Sequence, residues 1–334
     1  MISKLKKCWV LLMVVIAASS VVVAENITAS LIVGGTPHQA LFDVTLNGRD
    51  GFAVGAGGQI FRTDDGGKTW LLELNDSALS LLGVSFSGAN AVAVGQFGVI
   101  LVRNSEGHWH KVESGTQERI FNVDMNRKGQ VVAVGAFGLI LNSSDRGETW
   151  KDVSPDWSDK FYDPDMRLGG LFEPNIYGVQ INEEGKSWVA GELSLVMVSE
   201  DAGENWVVKH AGGSSENGVS STLSAITIRD DGTAFAVGQE GYVLKSLNDG
   251  DTWDVVKPAT HQNLLGVSSL HSGLVVAPGM REILLSYDDG ESWTSVKGLD
   301  VNTGWYGAVA ISADTEDVIV VGNNSNIIKI NYRR

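Results

Sequence analysis

From about residue 41 the chain runs through short apolar stretches separated by corners rich in Gly, Asp and Ser. None of the stretches is long, and none keeps a 3.6-residue apolar period, so the pattern predicts strands rather than helices. The stretches return in a fixed order. One begins each unit, as in Leu82-Gly83-Val84-Ser85-Phe86 and Ile120-Phe121-Asn122-Val123. A second ends in glycine or its equivalent: Ala53-Val54-Gly55, Ala93-Val94-Gly95, Ala133-Val134-Gly135, Val189-Ala190-Gly191, Ala236-Val237-Gly238, Val276-Ala277-Pro278 and Val320-Val321-Gly322. A tight turn, Gly95 to Gly98 in the second unit, leads to a third apolar run such as Val99-Ile100-Leu101.

Seven copies spaced by 40, 40, 56, 47, 40 and 44 residues are a repeat. A strand-built period near 40 predicts an all-β, seven-bladed β-propeller with one four-stranded blade per copy. The seventh copy ends near Asn326-Ile327-Ile328 without a fourth run of its own. Leu31-Ile32-Val33 sits 40 residues ahead of the outer run Leu71-Leu72-Glu73, so the N-terminal strand is expected to complete the last blade and close the ring.

Between third and fourth runs lies the most specific motif. It reads Thr63-Asp64-Asp65-Gly66-Gly67-Lys68-Thr69-Trp70 and Ser143-Ser144-Asp145-Arg146-Gly147-Glu148-Thr149-Trp150. Looser copies carry Asp201 and Trp206, Asn248 and Trp253, and Asp288 and Trp293, with a degenerate one from Asn104 to Trp109. The pattern resembles the Asp-box, or bacterial-neuraminidase repeat, Ser/Thr-x-Asp-x-Gly-x-Thr-Trp. Its expected logic is local: the carboxylate collects backbone donors, glycine allows the reversal, and tryptophan packs between blades. A calcium or catalytic role for these acids would need further oxygen ligands, which do not accompany them.

Charge and the N-terminus change the picture of where the chain works. Forty acids oppose 25 bases, a net charge of −15, which speaks against nucleic acid as a partner. Lys4, Lys6 and Lys7, the apolar stretch from Cys8 and the small residues Val22-Val23-Ala24 read as a secretory signal over residues 1–24. Residues 25–334 then form one propeller domain, not membrane-spanning after cleavage, with 22 bases, 40 acids and no cysteine. That predicts a soluble, monomeric protein of the periplasm or an equivalent lumen, stabilised without disulfides. No cofactor or metal is expected; His108 and His110 alternate on one strand without a third ligand.

The composite Ala-Val-Gly-x-x-Gly-x-Ile-Leu-x-Ser-x-Asp-x-Gly-x-Thr-Trp, clearest over residues 93–101 and 133–150, resembles the photosystem II stability and assembly factor family. The resemblance covers essentially the whole chain after the signal. It implies a non-enzymatic scaffold or assembly factor that binds a membrane protein complex, of the thylakoid type or, in a non-phototroph, at the inner membrane or an export system. That family is associated with an arginine-rich contact patch, whereas the arginines here are scattered over different blades. The alternative is a glycoside hydrolase or carbohydrate-binding propeller of the sialidase type. It would need three convergent arginines and a Glu-paired tyrosine, and no such grouping is legible.

The longest interval holds an insertion at 154–174 with Trp157, Phe161, Tyr162, Arg167 and Phe172. Aromatic residues beside an arginine on a loop are candidate partner-binding anchors, or else cover the adjoining blade.

Overall fold

A computed structural model describes residues 27–75, 78–160, 173–212, 220–256 and 260–332. Seven four-stranded antiparallel sheets follow one another around a ring. The first blade is built from Leu41–Asn47, Asp50–Gly55, Gln59–Thr63 and Leu71–Asn75, running from the central channel to the rim. The first strand of each blade packs beside the first strand of the next, all the way round. In the seventh blade Tyr306–Ile311, Val318–Gly322 and Ile327–Asn331 are joined by the N-terminal strand Thr28–Val33 as the outer member. Thr28 faces Asn331 and Leu31 faces Ile328 in antiparallel register, so the ring closes as the repeat spacing predicts.

There is no single core. Seven buried clusters lie between neighbouring blades, one at each junction. The second strands explain this. Val92 and Val94 enter the cluster between blades two and three, while Ala91 and Ala93 enter the one between blades one and two. A strand buried on both faces has no solvent side, which is why these segments read as unbroken apolar runs rather than alternating ones.

The register corrects one reading of the repeat. Ala277 faces Leu284 and Pro278 faces Ile283, as Ala93 faces Leu101 and Val94 faces Ile100. The glycine of the sixth copy is therefore Gly279, not Pro278, and its turn is one residue shorter. The steric need is the same: a Cβ on Gly95 would strike the Ser80 carbonyl, and one on Gly279 the Asn263 carbonyl, where the chain enters the inner strand. That glycine is extended, at φ −174° for Gly95; positive φ is required at the turn's second glycine, Gly98 (φ 66°). The sixth inner strand is also reduced. Only Ser268–Ser269 is regular, with Leu264 bridged to Gly279 ahead of it.

Polar side chains on inner strands tie blades together beneath the channel. Asp124 accepts hydrogen bonds from the Ser85 hydroxyl of blade two (2.8 Å), from Met125 N–H (2.9 Å) and from Ile181 N–H of blade four (2.9 Å). Gln180 exchanges two bonds with Ile228 of blade five, at 2.7 and 2.8 Å. Burial pushes the Asp124 carboxyl above its usual range, against those donors. Truncating it strands the Ile181 N–H and the Ser85 hydroxyl in a buried seam. Asp124→Ala should therefore cost about 2–4 kcal/mol in denaturant unfolding at neutral pH; a loss under about 0.5 kcal/mol would show that the seam does not depend on it.

Candidate functional site

The two faces of the ring are built differently. On one, each Asp corner is a closed set of local bonds. Thr63 Oγ1 donates to Asp65 Oδ1 (2.9 Å) and accepts from Gly67 N–H (2.9 Å). Lys68 and Thr69 N–H both donate to Asp65 Oδ1 at 2.9 Å, and Thr69 Oγ1 donates to Oδ2 at 2.6 Å. Trp70 Nε1 donates to the Gly67 carbonyl at 3.0 Å, and its ring enters the cluster between blades seven and one. Asp145, Asp201, Asn248 and Asp288 accept from the residue four positions on in the same way. Trp150, Trp206, Trp253 and Trp293 reach the clusters at their own junctions. The shortened copy in blade two uses Asn104, whose Oδ1 accepts from Glu106 and His108 N–H, while Trp109 Nε1 donates to Glu73 at 2.7 Å.

Partial burial pushes the Asp65 carboxyl up, but the Thr69 hydroxyl and N–H, the Thr63 hydroxyl and Lys68 N–H outweigh it and hold it at about 2. Asp145, Asp201 and Asp288 are lowered by the same set of donors. Each of these acids serves its own corner. Among the described residues no three His, Cys, Asp or Glu side chains gather as a metal would require.

The opposite face carries the hairpin tips that join second to third strands. Their two central residues are left-handed: Phe97 and Gly98 at φ 54° and 66°, Phe137 and Gly138 at 54° and 72°, with Val99 N–H bonded back to the Gln96 carbonyl (3.2 Å). This is the type I′ turn, whose first central position favours Asn, Asp or Gly. Blades two, three and four place Phe97, Phe137 and Leu193 there instead. Phe97 is 65% exposed and Phe137 61% exposed. Asn175 Oδ1 accepts the Phe137 N–H (3.1 Å) and helps to hold the tip. Between the two rings lies a cavity of about 400 Å³ lined by Arg119, Phe121 and Tyr177 among others.

That cavity shares Phe121 and Tyr177 with the lining of the central channel. Six of the inner strands slip register by one residue where they leave the tip glycine, at 41/43, 81/83, 120/122, 176/178, 223/225 and 306/308. A bulge of this kind re-aims one side chain. Here it supplies Phe42, Leu82, Phe121, Tyr177, Ser224 and Gly307 to a channel of about 440 Å³, with Trp305 lying over Gly307. Phe42 stacks on Trp305 (centroids 5.9 Å, 14°), and Phe121 meets Tyr177 at 4.9 Å. Asp43 also lines the channel. Its two oxygens accept Val44 N–H (2.8 Å) and Val84 N–H (2.9 Å), and burial pushes its carboxyl up to about 7 in spite of them. Sequence patterning did not single out this site. Its signal was the large apolar or aromatic residue one step after the first of four inner runs, Phe42, Leu82, Phe121 and Tyr177, which reads as ordinary strand core.

The insertion opens on this same face. Gly138 N–H donates to the Pro174 carbonyl (2.9 Å), so the far end of the loop returns to the tip of blade three. Trp157, for which the sequence left open a partner anchor or a cover for the adjoining blade, takes the second role: it is 6% exposed in the cluster between blades three and four, with Nε1 donating to the Gly138 carbonyl (3.2 Å). Phe161, Tyr162, Arg167 and Phe172 lie outside the described residues, as does the signal-like segment 1–24. Among the described residues no helix is long and apolar enough to cross a membrane.

No protein-family model matches the chain, and no curated protein matches it in sequence. Solved structures do. YCF48 from Cyanidioschyzon merolae superposes with a TM-score of 0.71 at 19% identity, covering 91% of this chain and 98% of that one. YCF48 bound to D1 peptide gives 0.67 at 17% identity, covering 91% and 94%. The WD40 repeats of RRP9 give 0.70 at 10% identity, covering 92% and 98%. At these identities the likeness establishes the seven-bladed fold.

Because the Asp corners hold their carboxyls below the unfolded value, they stabilise the ring fully above about pH 4 and lose that contribution as pH falls toward 2. Thermal denaturation at stepped pH should show the melting temperature dropping through that window, with a shallower drop for Asp65→Asn combined with Asp145→Asn. Parallel curves for variant and parent would refute the assignment.

Proposed function

We propose that the chain is an exported, non-enzymatic scaffold that binds a segment of a membrane protein complex through its hairpin-tip face. The observation that carries this reading is the pair of exposed phenylalanines, Phe97 and Phe137, at positions where the backbone favours Asn or Gly. A left-handed conformation costs a bulky residue about 1–2 kcal/mol, and strain kept at exposed positions marks a binding surface. Three further features support it. The tips flank a cavity that shares Phe121 and Tyr177 with the channel, the two ends of the insertion lie beside the tip of blade three, and a propeller of the same fold, YCF48, has been solved bound to D1 peptide. The partner class follows the family resemblance of the repeat: a complex of the inner membrane or of thylakoid type, met from the periplasm or lumen.

The glycosidase alternative finds less support. A tyrosine nucleophile must ionise readily, yet burial raises the hydroxyls of Tyr177, Tyr242 and Tyr306. Tyr306 moreover lies in the core between blades six and seven.

Replacing both tip phenylalanines tests the scaffold reading, because stability and binding should move in opposite directions. Phe97→Asn with Phe137→Asn relieves strain and should raise stability by up to about 1 kcal/mol per site, while abolishing capture of membrane proteins from detergent-solubilised membranes. Undiminished capture by the folded double variant would exclude this face.

A further inference from the structure

We propose that the central channel receives a single cationic group, a guanidinium or alkylammonium, with Asp43 as its charge partner and aromatic rings as its walls. Among the described residues Asp43 is the only charged side chain lining the channel. Its carboxylate offers about four acceptor sites, and the two backbone N–H groups of Val44 and Val84 occupy one on each oxygen. Acceptor capacity therefore remains for a ligand.

The fold does not require an acid at this position. The equivalent residues of the other blades, by register, are Gly83, Asn122, Gly178, Ala225 and Ala308, and Gly266 stands there in the sixth copy. Five of those six offer no side-chain acceptor, so a bond across to the next blade is dispensable for pairing. A lone carboxyl raised to about 7 by burial, with the Asp124 charge adding to the rise, is an acid that lacks a cation.

The walls suit that cation. Phe42 with Trp305 and Phe121 with Tyr177 form two aromatic pairs, contributed by blades one, seven, three and four. Aromatic faces attract a desolvated ammonium or guanidinium, with Trp the strongest. A volume of about 440 Å³ admits one long side chain rather than a folded element. The net charge of −15 favours approach of a basic segment. The cation is therefore assigned to a Lys or Arg side chain of the bound partner, a source that rests on the scaffold reading, whereas the channel site itself does not.

Nuclear magnetic resonance of the Trp305 indole, assigned with Trp305→Phe, provides the test on the full folded chain. N-acetylarginine amide should shift this signal with a dissociation constant at least ten-fold below that of the neutral N-acetylcitrulline amide. Asp43→Asn should erase that preference, and Phe42→Leu with Tyr177→Leu should weaken arginine binding several-fold; the second variant decides alone where the first does not fold. Equal binding of the two probes, or an arginine preference that survives in a folded Asp43→Asn, overturns the site. Capture from membranes then separates the two readings. Capture lost in Asp43→Asn supports the partner as source, and capture retained overturns that source in favour of a free small cation. Capture by the parent without any arginine preference overturns the channel site alone, and arginine preference without capture overturns the scaffold alone.

Discussion

Burial on both faces of every blade is the constraint from which the rest follows. A four-stranded sheet of this kind has two apolar surfaces and cannot cover either by itself. Val92 and Val94 need blade three as much as Ala91 and Ala93 need blade one. The requirement passes from blade to blade until it returns to its start, so closure is a condition of stability. The clasp is correspondingly elaborate. Ile27 is buried among residues of blades six and seven, Ala29 N–H donates to the Lys297 carbonyl, and Thr28–Val33 then pairs with Ile327–Asn331. These contacts join residues some 300 positions apart, which makes the last step of folding the one with the greatest loop-closure cost.

The same constraint decides what could be read from the sequence. Doubly buried strands, invariant tip glycines and Asp corners all recur because each blade must solve the same packing problem, and recurrence is visible without coordinates. The number of blades and the role of residues 31–33 followed from spacing alone. What escaped was whatever differs between blades. In the sixth copy the glycine stands at 279 rather than 278 and the turn after it is one residue shorter, and a spacing argument alone does not see that shift in register beside a proline. Asp124, Gln180 and Asp43 bond across seams to partners about 40 to 57 residues away. Their residue types are unremarkable in a strand, and only the register brings donor and acceptor together. Trp157 belongs to the same class: its loop position left anchor and cover equally open, and only the coordinates place its indole in the 3–4 cluster.

Local agreement between residue type and backbone shows where other demands acted. On the Asp-corner face the left-handed position is Gly66, Asp249 or Asp289 in three corners and Arg146 or Ala202 in two, and the carboxyls are consumed by donors within four residues. On the tip face the agreement breaks at Phe97, Phe137, Leu193 and Glu240, on four consecutive blades whose turn chemistry asks for Asn, Asp or Gly, and at the first two the residue is an exposed aromatic. Glycine follows the first two, so the turn itself is preserved and only the exposed position departs from it. Packing offers no reason, since none of these side chains belongs to the seven buried clusters.

The bulges connect that departure to the channel. A regular inner strand would send the residue after Leu41 or Ile120 out of one face of the sheet, toward a neighbouring blade; the one-residue slip re-aims Phe42 and Phe121 to the channel instead. Because the slip occurs beside the tip glycine, the same few residues set both the tip conformation and the width of the mouth. A glycine at that point is compelled by the neighbouring carbonyl, so the bulge is a consequence of ring packing rather than an addition to it. The architecture thus delivers six inward-facing positions at no further cost in fold, and the chemistry placed on them is free to vary: aromatic on blades one, three and four, aliphatic on two, polar on five, open on seven. The position one residue further on is equally free of the fold's demands, and it carries a carboxylate on blade one, Asp43, where five of the other blades by register have Gly83, Asn122, Gly178, Ala225 and Ala308.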